Sequence, residues 1–281
     1  GKTMLAQRLP GLLPKLTDDQ AVEVTAIYSA AGALSAGQGL IRTPPFQAPH
    51  HTTTKAALIG GGSNSVRVGM VTMANHGVLC LDEAAEFERS VLDALRQPLE
   101  SGSITISRSG ASANFPSRFT LVLAANPCPC GRFTGTGRNC SCTPQSVRRY
   151  LNKLSGPLLD RIDLQVEVGA TGRAGLSQIG ESSEIVRARV MNARSIAAIR
   201  FSNYYWKSNS LIPAKYLRTE FAPESAGVLF LNRALDRELI TARAFHRIIR
   251  VSWSIADLHQ HPIPTLSDIE EATKLHERSF V

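Results

Sequence analysis

An α/β core with a parallel sheet, followed by a small all-α domain, is the architecture this sequence predicts. Three observations carry that reading. The apolar run at 78–81 suits a strand buried on both faces of a parallel sheet, and 119–125 is another apolar run. A helical pattern takes over at Glu184 and is punctuated by Pro213, Pro223, Pro262 and Pro264. Between the two, residues 171–183 are rich in Gly and Ser and hold no long apolar run, so they read as a linker between a core at 1–170 and a helical domain at 184–281.

The elements follow in order. Leu5, Leu9 and Leu12 recur at near-helical spacing, and Pro10 is expected to end or kink that first helix. Thr17-Asp18-Asp19-Gln20 has the form of a capping box with acids in the first turn, which predicts a helix to about Ala31 that Gly32 stops. Residues 35–68 are rich in Gly, Pro, Thr and His without a period; they read as loop with short strands, and 40–68 as an insertion too long for an ordinary connection. Val91, Leu92, Leu95 and Leu99 predict a helix. Ile104 and Ile106 alternate with Thr105 and Ser107, Ser109-Gly110 supplies turn chemistry, and a second strand ends near Phe115, giving a hairpin over 103–115. Leu164, Val166 and Val168 alternate as an edge strand would.

Composition narrows the function classes. The 281 residues suffice for about two domains, and 43% apolar with 19% charged is not a disordered composition. No apolar run reaches the roughly 18 residues a bilayer span requires, which excludes a membrane-embedded role. Of the 5 Cys, Cys80 sits in an apolar run and four form the tight pairs Cys128-Pro-Cys130 and Cys140-Ser-Cys142. That is not a secreted disulfide scaffold, and it predicts a reducing, cytoplasmic setting. The chain opens on Gly1-Lys2-Thr3, with no initiator Met and no leader, and is expected to be part of something longer.

The 31 basic and 23 acidic residues give a net charge of +8, unevenly spread. Residues 24–81 contain no acid, and 101–159 contain seven basic residues (Arg108, Arg118, Arg132, Arg138, Arg148, Arg149, Lys153) and again no acid. Such a field suits a polyanion, whether nucleotide, nucleic acid or acidic protein, although a solvated face or an oligomer interface would use the same residues.

Gly1-Lys2-Thr3 matches the tail of a phosphate-binding loop, in which Lys reaches the β/γ-phosphates and the hydroxyl ligates Mg²⁺. The tripeptide gains meaning from the strand that ends in Asp82-Glu83, because phosphoryl transfer needs a carboxylate near the metal and a group that orients water. Asp82 then supports Mg²⁺ and Glu83 polarises the attacking water; acids at a helix N-terminus are the structural alternative. The four paired Cys can present sulfurs tetrahedrally to a structural Zn²⁺, with free thiols as the alternative.

These segments together resemble a known family. Pro45-Phe46-Gln47-Ala48-Pro49-His50-His51-Thr52, Leu58-Ile59-Gly60-Gly61-Gly62 and Asn75-His76-Gly77-Val78-Leu79-Cys80-Leu81-Asp82-Glu83 resemble the magnesium-chelatase-like AAA+ ATPases. Ala124-Ala125-Asn126-Pro127-Cys128-Pro129-Cys130-Gly131, Thr241-Ala242-Arg243 and Ile255-Ala256-Asp257-Leu258 are similar to its ComM/YifB branch.

The resemblance implies a ring-forming, usually hexameric ATPase that uses ATP and Mg²⁺, with an AAA+ P-loop core and a helical lid. Asn126 matches sensor 1, with a turn residue as the alternative. Arg161, in Leu158-Leu159-Asp160-Arg161-Ile162-Asp163, matches the arginine finger, the alternative being an ion pair to Asp160 or Asp163. Arg243 matches sensor 2, with Arg247 and Arg250 further along; a solvated helix face would explain all three. The hairpin takes the place of the pre-sensor 1 hairpin, making Arg108 and Arg118 candidate DNA contacts or interface residues. Residues 40–68 correspond to the helix-2 insert, where His50 and His51 are expected to be structural or nucleotide-sensing.

Departures are few. Ala84-Ala85 replaces the Leu-Pro or similar pair common after Asp-Glu, and Ser252-Trp253-Ser254 stands where a basic residue is usual. The front of the phosphate loop, the first core strand and the branch's Lon-protease-like domain are missing from the sequence, so weak ATP binding is expected of this piece. The functional expectation is an ATP-driven motor on branched or single-stranded DNA, serving branch migration or unwinding in recombination or natural transformation. A chelatase motor subunit and an inactive nucleotide-binding fragment are the alternatives.

Overall fold

The computed structural model describes residues 2–61, 67–108, 111–133, 139–169 and 180–276. They divide into two compact units, one of 2–161 with 168–169, the other of 162–167 with 180–276. Gly1, Arg138 and most of the predicted linker lie outside the described residues.

Among the described residues seven strands are numbered in chain order: β1 (Phe46–Gln47), β2 (Gly60–Gly61), β3 (Arg67–Val68), β4 (Val78–Leu81), β5 (Ser103–Arg108), β6 (Ala111–Pro116) and β7 (Thr120–Leu123). The core of the first unit is a parallel sheet in the order β1-β4-β7, with Phe46 opposite Val78, and Val78 to Leu81 opposite Thr120 to Leu123. All four residues of β4 are buried, as its unbroken apolar run requires of a central parallel strand. Leu79, Leu81, Phe87, Leu92, Leu95 and Leu158 form the centre of the packing; each contributes about 1.5–3 kcal/mol by leaving water. β5 and β6 pair antiparallel as the predicted hairpin, Ser103 opposite Pro116 through Arg108 opposite Ala111.

The Thr17 capping box forms as its sequence predicts. Gln20 N donates to Thr17 Oγ1 (3.4 Å), Thr17 N donates to Gln20 Oε1 (3.1 Å), and the helix runs Asp18–Ala30 up to Gly32 at φ 67°.

Other elements depart from expectation. The first helix, Lys2–Leu12, continues past Pro10, because the proline falls near its C-terminus, where only the N–H bond to Ala6 is forfeited before the helix ends. The stretch around Val91 to Leu99 is two short helices, Arg89–Asp93 and Arg96–Ser101. Pro98 cannot donate to Ala94, and the break is held by Arg96 on Asp93 (2.8 Å). Within 40–68 the expected short strands are present at Phe46–Gln47, Gly60–Gly61 and Arg67–Val68, the first of them in the core sheet, and only the helix Lys55–Ile59 departs from expectation. Leu164, Val166 and Val168 form no strand and stay exposed; Gln165 N instead donates to Leu275 O (2.6 Å), so the alternation has no ladder to join.

Gly77 shows how closely β1 and β4 approach. A Cβ there would lie 2.1 Å from Pro45 O and 2.7 Å from Pro45 N, both backbone atoms. Val78 N donates to the same Pro45 O (2.8 Å), so the strand cannot shift without losing its first ladder bond. Gly77→Ala is therefore expected to destabilise the chain by about 3 kcal/mol, read as a lower urea midpoint at unchanged slope. A midpoint within error of wild type would show that the strands can separate freely there.

The second unit is all helical, with principal helices Ser183–Arg200, Ser225–Asp236, Ala242–His259 and Leu266–His276. Helix Ala242–His259 buries Phe245, Ile248, Ile249, Ser252, Trp253 and Ala256 along one face. Ser252 and Trp253 thus belong to this core, while Ser254 is exposed beside it. The Trp253 indole donates to Phe221 O (2.9 Å), and the Arg200 guanidinium lies 4.2 Å over its ring while pairing with buried Asp257. Ser254 Oγ accepts from Asn209 Nδ2 (3.1 Å), and Asn209 also donates to Asp257 (2.8 Å). No helix among the described residues is long and apolar enough to cross a membrane.

Candidate active site

The site forms at the C-terminal ends of β4 and β7, the edge at which open parallel sheets bind ligands. Leu81 stands opposite Leu123, and Ala124 N donates to Leu81 O (3.0 Å), so Asp82-Glu83 and Ala125-Asn126 emerge side by side. Ala84 N donates to Ala124 O (2.8 Å), and Ala84 and Ala85 are fully buried beneath the carboxylates. The Ala84-Ala85 departure therefore leaves the acidic pair in place.

Helix Lys2–Leu12 brings its first residues to that edge. Lys2 Nζ donates to Ala125 O (2.9 Å) and Asn126 Oδ1 (2.8 Å), which are neutral acceptors. Thr3 Oγ1 donates to Asp82 Oδ2 (2.6 Å), and Asp82 Oδ1 accepts from Glu83 N (2.9 Å). Glu83 has a left-handed backbone (φ 51°, ψ 43°), which costs of order 1 kcal/mol or more in a non-glycine residue. Its Oε2 lies 3.2 Å from His51 Nδ1, and the His51 ring lies 4.0 Å from that of His50.

Lys2, Thr3, Asp82, Glu83 and Asn126, predicted from separate segments, thus form one cluster. His51 is the member that sequence reasoning did not connect to Glu83. Its signal was a His-His pair just after a Phe-Gln strand, but only the parallel pairing of that strand with β4 makes the two neighbours.

The residues present fit a magnesium nucleotide. Thr3 hydroxyl and Asp82 carboxylate are adjacent hard oxygen donors of the kind Mg²⁺ binds, and Lys2 carries a cation with no described carboxylate neutralising it. The metal would neutralise phosphate charge; Lys2 would hold phosphate oxygens, and Glu83 with Asn126 would orient a water.

The remaining candidates lie elsewhere. Arg161 pairs with Glu100 and donates to Pro157 O, while Asp163 pairs with Arg247. Arg118 is exposed, while its backbone N donates to Asn75 Oδ1 (2.8 Å) at the base of the hairpin. Arg108 ends β5, and its side chain lies outside the described part of the structure. In the helical unit Arg243 is exposed in the first turn of Ala242–His259. Arg247 pairs with Asp163 (3.3 Å), and Arg250 donates to Ile212 O (2.8 and 3.0 Å), so neither lies on a freely solvated face.

The four paired Cys converge. Cys128 Sγ lies 3.4 Å from Cys130 Sγ and 3.6 Å from Cys140 Sγ, and all four sulfurs lie within 4.8 Å of one another. Tetrahedral zinc with Zn–S near 2.3 Å sets sulfurs roughly 3.8 Å apart, so the set needs little adjustment to hold the ion. Gly131 at φ 70°, its N–H on Cys128 O (3.0 Å), makes the tight turn that brings the first pair together. The backbone N–H of Arg132, followed by the Cys128 thiol, lowers the Cys130 thiol to about 6, whereas Cys140 is pushed up to about 12 and Cys142 also upward despite backbone hydrogen bonds that act to lower both, so the case for a metal here rests on the sulfur geometry.

The chain is similar in sequence to several known proteins. Residues 1–175 match the family described as magnesium chelatase, subunit ChlI, and residues 180–276 the ChlI C-terminal family. Competence protein ComM of Haemophilus influenzae is 45% identical over 262 residues, 92% of this chain and 50% of that protein. YifB of Escherichia coli, an uncharacterised protein, is 42% identical over 275 residues, 97% of this chain and 53% of its own length. More distantly, the DNA replication licensing factor mcm6 of Dictyostelium discoideum is 26% identical over 231 residues, 78% of this chain and 25% of that protein. The chain spans about half the length of ComM and YifB. With an α/β core whose Lys, Thr, Asp, Glu and Asn meet at the sheet edge, an all-helical second unit and both family matches, the chain belongs to the magnesium-chelatase-like AAA+ ATPases, in their ComM/YifB branch.

Proposed function

We propose that this chain is the motor portion of an ATP-hydrolysing machine that acts on DNA, driving branch migration or unwinding in recombination or natural transformation. The observation that carries the ATPase half is the cluster of Lys2, Thr3, Asp82, Glu83 and Asn126 at the end of the parallel sheet. In it Lys2 and Thr3, with Gly1, take the phosphates and Mg²⁺, Asp82 supports the metal, Glu83 polarises water, and Asn126 senses the γ-phosphate. Arg161 and Arg243 complete the site as arginine finger and sensor 2 in a homo-oligomeric, hexameric ring.

The DNA half is supported by charge. Residues 101–159 carry no acid and include the hairpin, with Arg108 near its tip and exposed Arg118 at its base. A relative named as a DNA replication licensing factor points the same way. The test is ATP hydrolysis by the intact protein with and without branched DNA. Several-fold stimulation that falls steeply with salt is expected, because phosphate contacts release counterions. Hydrolysis indifferent to DNA would instead favour a chelatase-type motor acting on a protein partner, the second reading, which the family's description motivates.

Zinc on Cys128, Cys130, Cys140 and Cys142 would be structural, all four positions being filled by protein. One equivalent of thiolate-bound zinc per chain is expected, with Cys140→Ser losing that equivalent and unfolding at lower temperature while Glu83 chemistry persists. A zinc-free protein as stable as the zinc-replete one would remove that role.

A further inference from the structure

We propose that His259, His261 and Asp268 form a second metal site, in the helical unit, that takes a first-row divalent transition cation such as zinc or cobalt. It goes beyond ATP hydrolysis and uses none of the residues assigned to it.

Local structure brings the three donors together. His259 is the last residue of helix Ala242–His259, and Gln260, in the left-handed region at φ 61°, reverses the chain directly after it. His261 N then donates to Ala256 O (2.8 Å), which returns the His261 side chain to the same corner. Pro262 and Pro264 stiffen the connection to the next helix, Leu266–His276, so little chain entropy is left to lose when the corner is bound. Asp268 is held in the first turn of that helix. Thr265 N and Oγ1 each donate to its Oδ2 (2.9 Å), and Asp268 N donates back to Thr265 Oγ1 (3.3 Å).

The donor atoms already stand in a coordinating arrangement. His259 Nδ1 is 3.1 Å from Asp268 Oδ1, His261 Nδ1 is 2.8 Å from Asp268 Oδ2, and the ligand atoms all lie within 4.8 Å of one another. Zinc bonds of about 2.0–2.2 Å to N and O place tetrahedral donors roughly 3.4 Å apart, a few tenths of an ångström beyond the two observed contacts. The carboxylate is 1% exposed, whereas the side chains of His259 and His261 are 50% and 38% exposed. The site is therefore anchored from below and open above, where water fills the remaining position.

Two imidazoles and one carboxylate select the class of ion. Mg²⁺ and Ca²⁺ prefer all-oxygen shells, whereas imidazole suits zinc, cobalt, nickel and copper. Coordination through Nδ1 leaves the ring proton of each histidine on Nε2, where both side chains are exposed. Once bound, the ion ties the end of one helix to the start of the next.

Equilibrium dialysis of the full chain against Co²⁺, under reducing conditions, tests this. Wild type is expected to hold one more cobalt per chain than His259→Gln or His261→Gln, which should retain the same helical circular dichroism. That difference spectrum should show cobalt d–d bands without thiolate-to-cobalt charge transfer, which separates this site from the cysteine set. Equal cobalt content in wild type and both variants would overturn the proposal. So would displacement of the extra cobalt by equimolar Mg²⁺.

Discussion

Glu83→Gln is expected to lower the rate of ATP hydrolysis by about 10²- to 10⁴-fold while leaving nucleotide affinity within a few-fold of wild type. The amide keeps the volume and reach of the carboxylate but cannot draw a proton from water. Affinity should persist because Lys2, Thr3 and Asp82 hold phosphate and metal through atoms other than the Glu83 side chain, Thr3 Oγ1 being paired with Asp82 at 2.6 Å. Fluorescent-nucleotide binding and single-turnover hydrolysis on the intact protein separate the two quantities. Turnover within tenfold of wild type would remove Glu83 from the chemistry; lost binding would make it a structural residue, with His51, 3.2 Å away, as the first partner to inspect.

Arg161→Ala is expected to cost about 10³- to 10⁵-fold in turnover if the guanidinium acts on a neighbouring subunit's nucleotide, as an arginine finger does. The ion pair with Glu100 makes a decisive control possible. A purely structural Arg161 would be matched by Glu100→Gln, since each variant breaks the same pair. A finger would show the loss in Arg161→Ala alone, with nucleotide binding intact. Mixing Arg161→Ala with Glu83→Gln chains sharpens the assay, because a mixed ring can pair an intact Glu83 site with a neighbour's intact Arg161. Full activity of Arg161→Ala by itself would end the finger assignment.

Local chemistry made much of the fold legible. The Thr17 capping box is written in four consecutive residues, β4 in an unbroken apolar run, and the hairpin in alternation on either side of Ser-Gly. Failures came where a local pattern met a non-local condition. Leu164, Val166 and Val168 alternate like a strand, yet a strand requires a neighbour, and Gln165 finds its acceptor on Leu275 instead. The break between Asp93 and Arg96 turns on where Pro98 falls relative to the carbonyl of Ala94, which a simple count of apolar spacings ignores.

The site shows the same division. Sequence alone determined the chemical inventory: a Lys-Thr pair for phosphate and metal, Asp-Glu at a strand end, an Asn after an apolar run, and four Cys in two close pairs. Each lies within a few consecutive residues, so spacing is enough to reveal it. Tertiary structure decided which of them meet. Parallel registry of β4 with β7 sets Asn126 beside Asp82-Glu83, the first helix carries Lys2 to Asn126, and pairing of β1 with β4 sets His51 against Glu83. It also assigned Arg161 to Glu100, 61 residues away, although two acids flank that arginine in sequence. The physical reason is common to all of these: hydrogen bonds and ion pairs depend on distances of about 3 Å, and across long sequence separations those distances are set by sheet order and packing rather than by the residues between.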